Sequence, residues 1–275
     1  MFATFPIPMR RAAQAALFVC CVSICAQIPA HAAISIAVAP PVIEKVTRPG
    51  STIRDVILFR NAGTEPLDVS VTFVDFTVNE DGSVAERPPG LDPSSILPYA
   101  QVTPLRARVE PNQQVNFRYT VRTPADFKQL RTMVMFAGTP QVARSGNQVV
   151  FAPRVGVPLY LESSAARPAQ LEVSDVRWAR SSEAPEKIVL SMLVRNSGDR
   201  NIRPTGTVQV RSAADRFNET FQFNEGREPV LPGQKRVWTM TFGPVPGGEL
   251  SVSLRFATSF RDTFVKDDRV PAVAQ

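Results

Sequence analysis

The residues best suited to covalent or metal chemistry lie together at one end of the chain. All three cysteines, Cys20, Cys21 and Cys25, and the only histidine, His31, fall within the first 31 of 275 residues. Arg10 and Arg11 precede an apolar run that is short for a bilayer span, and Ala30-His31-Ala32 closes it as a small-x-small exit. This pattern predicts a cleaved secretory leader over residues 1–32, with a mature chain starting near Ala33. Such a chain has no thiol and no imidazole, which removes Cys nucleophiles, Ser-His-Asp triads, Cys/His zinc sites and disulfides. Carboxylates remain: Asp75, Glu80, Asp81 and Glu86 lie close in sequence. Paired carboxylates can hydrolyse glycosides, but Asp81-Gly82 reads as a hairpin turn. The cluster also lacks the ordered ligand spacing of a calcium loop. The expectation is a non-enzymatic protein with no cofactor and no metal.

The leader holds two of the 31 basic residues and none of the 25 acids, so the formal charge falls from +6 to +4 on cleavage. The remaining charges are mixed, as in Lys266-Asp267-Asp268-Arg269. No basic block interleaved with aromatics marks a nucleic-acid surface. Nothing after Ala33 approaches a membrane-spanning apolar run, so no stable insertion is expected after cleavage.

The elements that must position any site are strands. Leu67–Phe73, Val115–Val121 and Val155–Leu161 alternate apolar and polar residues, and Asp55–Arg60 is a short apolar run ending at Asn61-Ala62-Gly63. After the small-residue stretch Ser163–Pro168, strands resume at Leu171–Trp178, Ile188–Val194, Thr207–Val210, Thr220–Phe223, Val237–Phe242 and Leu250–Phe256. Thr123–Arg131 has room for one helical turn at most.

The halves echo each other. Leu58-Phe59-Arg60-Asn61-Ala62-Gly63 matches Leu193-Val194-Arg195-Asn196-Ser197-Gly198. Val109-Glu110-Pro111-Asn112-Gln113-Gln114-Val115 resembles Val230-Leu231-Pro232-Gly233-Gln234-Lys235-Arg236-Val237. This predicts an all-β protein of two tandem immunoglobulin-like β-sandwich domains, over 33–163 and 168–260, with 261–275 as a tail.

The stretch Val102-Thr103-Pro104 to Glu110-Pro111-Asn112-Gln113-Gln114, with Arg118 on the next strand, resembles the amino-terminal domain of periplasmic pilus and fimbrial assembly chaperones. An early Val/Ile-rich strand over Ile36–Ile43, the turn Asn61-Ala62-Gly63 and the strand Val155–Leu161 fall in the matching order. The resemblance covers about Ile34 to Leu161. It implies a periplasmic, non-catalytic chaperone that lends a strand to a pilin-like exported subunit and delivers it to an outer-membrane assembly platform. Strand addition supplies backbone hydrogen bonds and alternate side chains to an incomplete sheet. The implied donor row is Val149 and Phe151, with Leu159 and Leu161 continuing the strand as core. The family anchors its subunit through an Arg on the first strand and a Lys near the end of the last; here those registers hold Pro41 and about Pro158. Arg154 is the basic residue available on the last strand. The competing reading is a non-catalytic tandem-sandwich binding or structural module of the cell envelope. An open or covered edge on the last strand of the first domain separates the two.

Overall fold

The computed structural model describes residues 35–140, 152–224, 228–259 and 261–273. The strands of the first half are β1 (Ile36–Ala39), β2 (Ile43–Thr47), β3 (Thr52–Asn61), β4 (Leu67–Val78), β5 (Val84–Arg87), β6 (Ala100–Thr103), β7 (Arg106–Val109), β8 (Gln114–Arg122), β9 (Gln129–Pro140) and β10 (Arg154–Ser163). They form two facing sheets. One has the order β1-β3-β8-β6; the other runs β2-β10-β9-β4-β5, with β7 also pairing β4. Alternation builds this sandwich directly. Ile57, Phe59, Phe117, Val121, Val134, Phe136, Val157, Leu159 and Leu161 are fully buried between the sheets, and polar residues between them face out. Three rings lock its centre: Phe117 meets Phe136 edge-on at 5.2 Å, and Phe59 lies 5.6 Å from Phe136.

The second half adds β11 (Leu171–Arg180), β12 (Ile188–Asn196), β13 (Gly206–Ser212), β14 (Phe217–Phe223), β15 (Lys235–Phe242), β16 (Leu250–Ala257) and β17 (Thr263–Val270). A three-stranded sheet β11-β12-β15 faces a four-stranded sheet β14-β13-β16-β17. Its separate core is centred on Phe223, with Phe256 stacked at 5.0 Å and Trp238 edge-on at 5.3 Å.

Three readings of the sequence need correction. Residues 261–275 were expected to be a tail, but Thr263–Val270 pairs along the whole of β16 as an edge strand. Charges at Lys266, Asp267, Asp268 and Arg269 hide it, as charged edges do. The early strand expected over Ile36–Ile43 is two strands in different sheets, because the Pro40-Pro41 step cannot continue a ladder. β9 was not anticipated at all, and the turn-like segment before it holds no helix.

The internal echo is structural. Asn61 is fully buried; its Nδ2 donates to Glu65 O at 2.7 Å and Val109 O at 3.0 Å, and its Oδ1 accepts Gly63 N–H at 3.0 Å. Asn196, also fully buried, donates to Arg200 O at 2.7 Å and Val230 O at 2.9 Å and accepts Gly198 N–H at 3.0 Å. The Pro-x-Gln turns close on the same residues: Asn112 N–H donates to Asn61 O at 2.8 Å, and Gly233 N–H to Asn196 O at 2.9 Å. Each asparagine thus ties its own turn to the strand entry that packs beside it. An Asn61→Ala or Asn196→Ala variant orphans three buried backbone groups, each worth about 1–3 kcal/mol. Urea unfolding is expected to show a loss of several kcal/mol in either variant, whereas exposed Asn218→Ala is expected to be neutral.

Candidate functional site

The last strand of the first sandwich, β10, is the element the sequence singled out. It pairs antiparallel with β9 from Arg154 to Glu162. On its other side β2 pairs with it in parallel, but only from Leu159 to Ser163. Among the described residues, Arg154 to Pro158 therefore has a neighbour on one side only.

The phase of the ladder says which groups that edge presents. Gly138 N–H donates to Pro153 O at 2.9 Å, and Ser163 N–H to Lys128 O at 2.8 Å, so odd-numbered residues aim their backbone groups toward β9. Ser164 N–H donates to Thr47 O at 2.8 Å, which puts the even-numbered residues toward β2. Arg154 and Gly156 thus hold an N–H and a C=O out from the uncovered stretch. Pro158 has no N–H to lose, and its C=O turns to the start of β2, where the parallel pairing begins at Leu159 and Ile43.

Val155 and Val157 point inward and pack on the first core. The opposite face of this stretch carries Met133 and Met135 from β9. A Cβ on Gly156 would lie 2.5 Å from Met133 Sδ and 3.3 Å from Met135 Cε, so the two methionines lie over the bare backbone of β10. Methionine side chains adapt to partners of varied shape.

The residues expected to act at this strand are distributed as follows. Val149 and Phe151 lie outside the described residues. Arg154 sits at the start of β10, more than half exposed, and pairs with Glu86 of β5 at 3.2 Å. Leu159 and Leu161 are fully buried core. Pro158 lies in β10 opposite Met133, and Pro41 falls between β1 and β2. The four carboxylates that raised hydrolysis are dispersed. Asp75 is buried and accepts from Ser95 Oγ at 2.8 Å and Gly90 N–H at 2.6 Å. Asp81 accepts from Ser83 inside the β4–β5 hairpin turn, and Glu86 takes Arg154. Among the described residues no group of three or more His, Cys, Asp or Glu side chains has metal-site geometry, and no helix is long and apolar enough to cross a membrane.

Sequence reasoning missed how the two sandwiches meet. Asn201 reaches across from the second half: its N–H donates to Glu162 Oε1 at 2.9 Å and its Nδ2 to Glu44 Oε1 at 3.0 Å. Arg203 pairs with Glu44 at 2.8 Å and lies 5.9 Å over the Tyr160 ring. Arg200 donates to Ser163 O and Ser164 O, both at 3.0 Å. Burial pushes the Glu162 carboxyl up, offset in part by the Asn201 N–H. An apolar patch of Phe76, Val78, Tyr160 and Leu231 seals the same junction. The β4–β5 hairpin tip extends it: Glu80 O accepts Val237 N–H at 2.9 Å, and a Cβ on Gly82 would strike Arg236 Nη2 at 2.1 Å. Loop residues on the far side of a linker give no periodic signal, which is why these contacts were not legible beforehand.

No family model matches the chain, and no curated protein matches it. Solved structures do. The chain is similar to the YadV chaperone, at 11% identity and a TM-score of 0.46 over 85% of this chain and 98% of that one. It is similar to the SafB chaperone of Salmonella enterica, crystallised with the SafA pilin, at 15% identity and a TM-score of 0.44 over 86% and 98%. It is also similar to WR4, a C. elegans MSP family member, at 12% identity and a TM-score of 0.30, over 48% of this chain and 100% of that one.

Asp199 anchors the linker side of the junction, taking Arg167 at 2.9 Å and Lys128 at 3.2 Å. The Arg167 guanidinium beside it holds its carboxyl well below the usual carboxylate range. A carboxyl lowered in the folded state contributes stability above its unfolded value near ~4, and loses it as pH falls through its own lower value. Urea midpoints followed from neutral to strongly acidic pH are expected to fall more steeply for the wild type than for Asp199→Asn.

Proposed function

We propose that this protein is a periplasmic chaperone that binds an exported, pilin-like subunit by adding β10 and the residues before it to the subunit's incomplete sheet. The observation that carries the reading is the half-covered edge of β10. β2 caps Leu159–Ser163, while among the described residues the outward N–H and C=O groups of Arg154 and Gly156 have no partner strand. Val149 and Phe151 lie two apart in sequence, so an added strand that includes them presents both on one face. In this reading they enter the subunit's apolar groove, each contributing about 1.5–3 kcal/mol once fully buried. Met133 and Met135 offer an adaptable apolar shelf beside the new pairing.

The proline registers at Pro41 and Pro158 lack the side-chain donors with which the resembling family holds a terminal carboxylate. Arg154 is the basic residue closest to the open stretch, and its bond to Glu86 is an exposed pair worth at most about 1 kcal/mol. Affinity here rests on backbone pairing and apolar insertion, with Arg154 free to exchange Glu86 for a subunit carboxylate.

Two substitutions separate these contributions. Arg154→Pro removes an outward N–H that β9 does not use, and is expected to abolish co-purification of a small exported subunit from the periplasm. Arg154→Ala keeps that N–H and is expected to retain most of the capture. Phe151→Arg is expected to abolish capture with unchanged thermal unfolding. Normal subunit recovery with both Arg154→Pro and Phe151→Arg would contradict strand donation.

A further inference from the structure

The sheet on the other side of the first sandwich carries a charge pattern that subunit capture does not use. Arg54 and Arg60 on β3 and Arg118 and Arg122 on β8 are all exposed, and all four fall in outward-facing rows. The register sets their spacing. Arg54 stands opposite Thr120, so Arg118 and Arg122 are its two diagonal neighbours, at about 7–8 Å between backbones. Arg60, opposite Gln114, extends the row to about 27 Å along the strands. The rest of the face is small or neutral: Thr52, Val56, Leu58, Asn116, Ala37, Ala39, with Gln101 and Thr103 on β6.

Among the described residues no carboxylate is paired with these arginines. Asp55 is the only acid on the four strands; it stands in register with inward-facing Tyr119 and is bound by Lys45. None of the four arginines makes an ion pair or side-chain hydrogen bond with a described residue. Four guanidinium groups in one plane, with no acid among them, create a field that attracts anions.

We propose that this face docks the protein on an anionic phospholipid bilayer. Guanidinium forks match phosphate oxygens in pairs. A shallow pocket beside Tyr99, lined by Gln101, Thr120 and Arg122, lies at the β6 margin. The rows holding Arg54, Arg60 and Arg118 carry no aromatic side chain to act as the central anchor that concentrates binding energy at protein–protein interfaces. A fluid layer of headgroups needs no matching shape, because its anions rearrange to meet each arginine. Docking on this side also leaves the opposite sheet, with β10 and the junction to the second sandwich, free to hold a partner. The inference is independent of what that partner is.

The test is co-sedimentation of the purified protein with phosphatidylcholine vesicles, with and without phosphatidylglycerol, at low and high salt. Binding is expected only to the anionic vesicles and is expected to fall with salt. A quadruple variant, R54Q/R60Q/R118Q/R122Q, is expected to lose partitioning by about fivefold per arginine. A charge-matched control on the second sandwich, R177Q/R216Q/R261Q/K266Q, is expected to retain most of it; urea unfolding checks that both variants fold. Equal losses in the two variants would reduce the effect to net charge and overturn the proposal. So would absence of wild-type binding to anionic vesicles. Binding to poly-glutamate with no vesicle binding would assign the face to an acidic polypeptide instead.

Discussion

A β-sheet edge must be covered, charged or paired with a partner, and along β10 the edge changes character part-way. β10 is covered by β2 over Leu159–Ser163, and among the described residues its Arg154–Gly156 stretch pairs with β9 alone. The division follows from the Pro40-Pro41 step, which sends the chain from β1 in one sheet to β2 in the other and starts the parallel pairing only at Ile43. Had β2 begun earlier, the outward groups of Arg154 and Gly156 would have found partners within the chain. A single polar residue, Arg154, and a proline guard the open stretch, which limits edge-to-edge aggregation without closing it.

The remainder of the fold holds that strand still. β10 is anchored on β9, whose Phe136 sits in the aromatic centre of the first core. Its far end is clamped from the second sandwich, where Arg200 grips Ser163 and Ser164 and Asn201 grips Glu162. A strand offered to a partner costs less ordering on binding when it is already fixed in the extended form. The paired asparagine hubs at Asn61 and Asn196 give each sandwich the same rigid corner without a disulfide.

The sequence made the sandwiches visible wherever one strand face is buried and the other is wet. β8 and β16 alternate cleanly, as does β4 over Leu67–Thr72, and the Asn-x-Gly and Pro-x-Gln repeats mark the hub turns that the structure builds. β9 escaped because it is interior to its sheet and apolar on both faces: Leu130, Val134 and Phe136 enter the core while Met133 and Met135 line the other side. The half-buried methionines on the second face blur the period of two in the sequence even though burial itself alternates. β17 escaped for the opposite reason, being an edge strand with charges on both faces. The basic face was hidden by mixing: Arg54 adjoins Asp55 in sequence, and only strand parity sends one outward and the other inward. The open stretch of β10 depends on where a distant strand stops pairing, a fact no local pattern carries.

The most direct measurement is residue-resolved amide hydrogen exchange across β10 in the free protein. An open edge predicts fast exchange at Arg154 and Gly156, with Val155, Val157, Tyr160 and Glu162 strongly protected by β9 or β2. Equal protection at Arg154, Gly156 and Tyr160 would mean that the strand is already covered along its length, and would contradict the account.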